Sequence, residues 1–201
     1  MKISSGQLHM ALRAAEGYCK NAEEIEQIII GHSVGAAAAA VASGWIPGAG
    51  GVVATGIALG FTVSMYYRIC SHSNIKVSKN ILKAIASVAV AEIAAYLGVI
   101  IAAELALTFI PGLGSISASV LAGIINFAMV YIAGILFLKM MTSVFKAGKD
   151  INNMTEDELK SYMKNESTKD NISSAYKEAK TVYKTAKNDK SYQQNDIHPM
   201  D

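Results

Sequence analysis

The sequence predicts an all-α protein: two apolar helical hairpins, related as an internal repeat, flanked by amphipathic N- and C-terminal helices. Three observations predict it. Residues 27–67 and 105–138 contain no Asp, Glu, Lys or Arg. Each of these tracts holds the same apolar turn, Ile-Pro-Gly-x-Gly, at residues 46–50 and 110–114. The runs flanking the turns exceed about 12 residues and abound in Ala and other small residues, which favours helix over strand.

Residues 1–27 read as one short amphipathic helix. Leu8, Leu12, Ala15, Cys19 and Ala22 recur at three- and four-residue steps, and Ser4 and Gln7 are placed as a capping box. No apolar stretch follows the early Lys2, so the segment is not expected to be a secretory signal.

Residues 28–145 form the expected hairpin domain. Pro47 and Pro111 stop one helix, while Gly48, Gly50, Gly112 and Gly114 permit the chain to reverse. Superposing the two turns aligns Met65 with Met129 and Tyr67 with Tyr131, as an internal duplication would. Gly31 and Gly35 form a G-x-x-x-G followed by five alanines, a surface that lets another helix backbone come close. A contact inside the bundle is expected there in preference to a dimerisation face.

The apolar tracts raise the question of a bilayer. A spanning helix needs about 20 apolar residues for a hydrocarbon core of about 30 Å. The first pair falls short, at about 16 residues or 24 Å on either side of Pro47. The second pair is longer but carries Lys83, Glu92 and Glu104. A carboxylate at mid-bilayer costs about 2.5–3.5 kcal/mol on insertion scales, so both glutamates must face protein, water or the interface. With His32 they are the expected buried ionisable residues, and Tyr96 stands one turn from Glu92 as a partner. Hydrogen bonding to a neighbouring helix is the preferred role, ahead of a proton- or cation-responsive lining.

Charge in the connectors gives a direction. Arg68, Lys76, Lys79 and Lys83 separate the two apolar tracts with no acidic residue among them, and Lys139, Lys146 and Lys149 follow the second. Under the positive-inside rule these seven side chains and both termini belong on the cytoplasmic side, with both turns directed into the bilayer.

Residues 146–188 are polar and Lys-rich. Thr155 and Glu158 form a capping box. Further on, Ile172, Ala175, Tyr176, Ala179, Val182, Tyr183 and Ala186 make an apolar stripe, with Lys177, Lys180, Lys184 and Lys187 on other faces. Packing on the bundle is slightly preferred over binding to an anionic lipid surface. Residues 189–201 read as a disordered tail.

Several function classes lose support. The net charge of +2 gives no general drive towards nucleic acid. Cys19 and Cys70 stand in no metal-ligand or disulfide-framework spacing. No phosphate loop, nucleophile elbow, zinc-protease or dinucleotide fingerprint occurs, so no enzyme, cofactor or metal is expected.

Residues 45–69 and 108–140 resemble the two signature segments of a bacterial domain of unknown function found beside or fused to GTPase domains. The matching features are Pro47 and Gly48, Met65 to Arg68, Pro111 to Gly114, and Tyr131 to Gly134. The resemblance covers about residues 28–141. It implies a helical, membrane-associated module with GTPase partners and no established catalytic residues. The alternation of apolar hairpins with amphipathic helices is also similar in pattern to colicin-type toxins.

The expected function is therefore non-catalytic: a helical protein that inserts the 28–67 and 84–141 hairpins into a bilayer from its cytoplasmic face and anchors or regulates a partner. The partners are the bilayer and a second protein or copy of the chain. A pore-forming effector that converts from a soluble bundle is the first alternative. A soluble scaffold that binds a partner helix is the second.

Overall fold

The computed structural model describes residues 6–19, 21–43, 50–108 and 118–189, and the side chains of these except 50–54, 101–108 and 118–119. The fold is all-α, as the sequence predicts. Among the described residues there are seven α-helices and no strand: α1 (Gln7–Ala15), α2 (Ala22–Ala42), α3 (Gly50–His72), α4 (Lys79–Thr108), α5 (Ala118–Lys146), α6 (Glu156–Glu166) and α7 (Lys169–Ala186). A 3-10 turn, Ile151–Asn153, joins α5 to α6.

The N-terminal zone differs from the sequence expectation. α1 ends at Ala15 and α2 begins at Ala22, so the segment expected as one helix contributes to two. Asn21, with φ 59°, makes the break, and Glu23 and Glu24 then favour a new helix N-terminus through its positive dipole end. The predicted stripe nevertheless faces inward, with Leu8, Leu12, Ala15 and Cys19 buried. Gly6 occupies the α1 N-cap position without a side-chain cap, so Gln7 does not serve in the expected capping box; Ser4 lies outside the described residues.

α2 and α3 run antiparallel in close contact. Glu24 meets His72 at 3.0 Å, His32 Nε2 lies 3.3 Å from Ser64 Oγ, and Gly35 packs on Phe61. A Cβ at Gly35 would stand 2.7 Å from Phe61 Cε1, so glycine is what allows this approach. The G-x-x-x-G position is thus occupied within the chain. Of the predicted turn residues, only Gly50 is described, as the first residue of α3; Pro47, Gly48, Pro111, Gly112 and Gly114 lie outside the described residues.

Two helix ends close alike. After α3, Asn74 is left-handed and the Ile75 N–H donates back to the Cys70 carbonyl at 2.8 Å. After α5, Gly148 is left-handed and the Lys149 N–H donates to the Val144 carbonyl at 3.2 Å. Both are Schellman closures that satisfy terminal carbonyls.

α5 is the axis of the fold. It is apolar around its whole circumference, which requires burial on every side or a lipid environment. Here it receives burial, since every residue from 125 to 138 is buried. α2 lies antiparallel on it, with Ile29 against Gly134 and Val41 against Gly123. α3 adds Tyr66, whose ring stacks on Phe137 at 4.0 Å and whose hydroxyl donates to the Ala133 carbonyl at 2.9 Å. The proposed repeat pairing of Tyr67 with Tyr131 is not matched by environment. Tyr67 is 48% exposed, Tyr131 is fully buried, and Tyr66 rather than Tyr67 enters the core.

Candidate functional site

Among the described residues, three helical segments are long and apolar enough to cross a membrane: Ala22–Ala42, Lys79–Ile100 and Val120–Lys146. They differ in how much the bundle hides. The α5 window is 83% buried and the α4 window 33%. The most apolar of the three is therefore the one kept furthest from solvent, and the helices that cover it define the site.

α7 covers the middle of α5. Asn171 accepts from Lys139 Nζ at 2.7 Å, Glu178 accepts from the Tyr131 hydroxyl at 2.8 Å, and Tyr183 packs edge-on against Phe127 at 5.2 Å. The sums of these pairs fix an antiparallel register reaching from Lys139 to beyond Phe127. Between the polar links the stripe Ile172, Ala175, Tyr176, Ala179, Val182 and Ala186 is buried, as the spacing predicts.

α1 and α6 complete the sheath. Glu178 also receives the backbone N–H of Gln7 and, at 3.3 Å, that of Leu8, placing a carboxylate at the positive end of α1. Lys139 Nζ reaches Gln7 Oε1 at 3.1 Å, and Ser143 Oγ donates to Glu166 at 2.6 Å. Tyr18 stacks on Phe145 with ring centroids 4.3 Å apart. Polar links to α1, α6 and α7 therefore gather at Tyr131, Lys139 and Ser143 of α5.

The sequence-predicted residues fall into separate places. Arg68, Lys76, Lys79, Lys83, Lys146 and Lys149 are exposed, whereas Lys139 is drawn into the α1–α7 seam. It acts as an internal anchor, because two side-chain oxygens reach it there. His32 is fully buried: Nδ1 lies 2.7 Å from the Ile28 carbonyl and Nε2 faces Ser64. Glu92 is not buried. It lines an open cleft of about 370 Å³ with Tyr96, Lys169 and Ile172, because that face of α4 leaves the core beside the α6–α7 junction. Glu104 has no described side chain. Gly31 is buried within α2.

Two further polar groups were not singled out in the sequence. Asn126 and Thr62 are both fully buried; Asn126 Nδ2 donates to the Ala122 carbonyl at 3.1 Å, while Asn126 Oδ1 and Thr62 Oγ1 have no hydrogen-bond partner among the described residues. An uncharged Asn or Thr inside an apolar run gives no periodicity signal to find it by. Burial pushes both thiols up, Cys70 to about 12, which leaves them poor nucleophiles. Among the described residues no group of three or more His, Cys, Asp or Glu side chains is placed to hold a metal.

Comparison with protein-family models, with curated proteins and with solved structures finds no match to this chain.

Proposed function

We propose that this chain is a non-catalytic, membrane-active helical protein whose described form is the closed one, with insertion of its apolar hairpins conditional on release of the sheath. One observation carries the choice of conditional over permanent insertion: α7, a Lys-rich helix, lies along the same part of α5 that would have to face lipid. A spanning α5 and a docked α7 exclude each other, because the exposed lysines of α7 would then stand at bilayer depth.

In the proposed mechanism, α1, α6 and α7 detach as polar elements that remain at the interface. The α2–α3 pair and the α4 and α5 helices then enter lipid with Arg68, Lys76, Lys79 and Lys83 held at the headgroups. α5, with 29 residues, is about 43 Å long and exceeds the hydrocarbon thickness. A GTPase partner, implied by the sequence resemblance, belongs to this proposal as the agent that anchors to or regulates the module. Nucleotide-dependent co-sedimentation with vesicles carrying the chain is its own test.

The central test is purification without detergent, followed by addition of vesicles and carbonate extraction. The expected result is a detergent-free protein with slowly exchanging α5 amides, of which a fraction becomes carbonate-resistant once vesicles are present. A chain that needs detergent throughout would overturn conditional insertion in favour of permanent residence. One that never becomes carbonate-resistant would overturn insertion itself.

A further inference from the structure

After Asp170, which is exposed in the first turn, the outer face of α7 carries charge of one sign. Its inner stripe is buried on the bundle, while Lys177, Thr181, Lys184, Thr185 and Lys187 are exposed. Between Asp170 and Asp189 the only carboxylate is Glu178, which is turned inward onto Tyr131 and the N-terminus of α1. From Lys177 to Lys187 the fold thus removes from this face the one carboxylate that would have offset its lysines. Lys180 and Lys187 lie over the Tyr176 and Tyr183 rings, at 4.7 and 5.8 Å, so their stems follow the edge between the apolar and basic faces. Lysines placed in this way keep their ammonium groups at a polar boundary while the stems cover apolar surface.

We propose that this face of α7 is a receptor for anionic phospholipid headgroups, and that the bilayer and α5 compete for the same apolar stripe of α7. The proposal rests on the conditional-insertion reading and names its trigger. Transfer of the stripe from α5 to acyl chains exchanges one apolar environment for another, so burial itself changes little. The links given up at α5 are few: Tyr131 to Glu178 and Lys139 to Asn171. Attraction between the lysines and an anionic surface is the term present only on the membrane side. Lipid charge, rather than lipid as such, then decides whether α7 stays on α5.

The test is flotation of the full chain with vesicles of phosphatidylcholine alone and of phosphatidylcholine mixed with phosphatidylglycerol, at low and high salt. The variant is Lys177→Gln/Lys184→Gln/Lys187→Gln, whose changes lie on the exposed face and leave the buried stripe intact. Partition of the variant onto anionic vesicles is expected to fall about 100-fold at low salt, with little change on neutral ones. On anionic vesicles, wild-type α5 amides are expected to exchange faster than in solution. Equal partition of variant and wild type would overturn the receptor even if both become carbonate-resistant, leaving insertion standing. Lysine-dependent binding without carbonate resistance would support the receptor and sink insertion. Unchanged α5 exchange on bound protein would overturn the competition.

Discussion

The Tyr131 hydroxyl donates to Glu178 at 2.8 Å, and the same carboxylate accepts the N–H of Leu8 at 3.3 Å and that of Gln7. One side chain of α7 therefore holds both the central helix and the start of α1. Sheath and axis are joined at a point far from either end of α5, so loss of this contact affects two covering helices together.

Tyr131→Phe isolates that contact, because the ring keeps its place on Phe127, 5.7 Å away, and only the hydroxyl is lost. A hydrogen bond to a carboxylate supports an expected loss of about 1.5–3 kcal/mol in denaturant unfolding. Glu178→Ala is expected to cost more, since three donors lose their acceptor. In native-state hydrogen exchange, α1 and α7 should open before α2 and α3 in both variants. Exchange that rises uniformly across the chain would show that Glu178 is not a local latch.

A pair of glycine substitutions separates packing from helix propensity. At Gly35 an added Cβ meets the buried Phe61 ring at 2.7 Å, whereas at Gly98 no atom of the described residues beyond its own helix turn lies within 4 Å. Gly35→Ala is expected to destabilise by about 1–3 kcal/mol through overpacking of the α2–α3 contact. Gly98→Ala, on the open face of α4, is expected to stabilise by about 0.5–1 kcal/mol. Opposite signs in thermal unfolding would establish the difference; a neutral Gly35→Ala would mean that Phe61 can shift.

These contrasts show where the sequence was legible. The α7 stripe, the Thr155–Glu158 cap and the helical state of the described parts of the charge-free tracts follow from periodicity and local spacing, and each is found as expected. Lys139 and Glu92 went the other way, because local sequence does not say which face of a wholly apolar helix a polar helix will cover. Lys139 is half-buried because Gln7 and Asn171, distant in sequence, converge on it. Glu92 is on a cleft because α4 turns that face away from the core. Glu178 is one carboxylate in a Lys-rich helix, with no local signal to mark it, and the docking of α1 gives it its role.

Asn126 tests whether a buried polar atom limits the stability of the closed form. Its Oδ1 is buried without a partner among the described residues, although Nδ2 has one. Replacing Asn126 by Leu removes the desolvated carbonyl at similar volume. An increase of about 1 kcal/mol in unfolding free energy is expected. A decrease would show that the amide is satisfied in solution, by an ordered water for example, and that the helix contact depends on it.

The cap of α6 gives a pH prediction with a definite sign. Thr155 and Glu158 form a reciprocal capping box, and the Thr155 N–H donates to Glu158 Oε2 at 3.0 Å. That backbone bond, then the Thr155 hydroxyl and then Lys149, hold the Glu158 carboxyl below its ordinary pKa. Because the folded value lies below the unfolded one, the contribution of Glu158 is complete above the ordinary Glu range. It is lost as pH falls through the depressed folded value. Amide protection at the start of α6 should therefore hold from neutral pH down to about pH 5 and decline below it. Glu158→Gln, which keeps a capping side chain without the titrating charge, should flatten that decline. Thr155→Ala should instead lower protection at every pH, by about 1 kcal/mol of local stability. A wild-type decline that persists unchanged in Glu158→Gln would assign the acid sensitivity of α6 to another group.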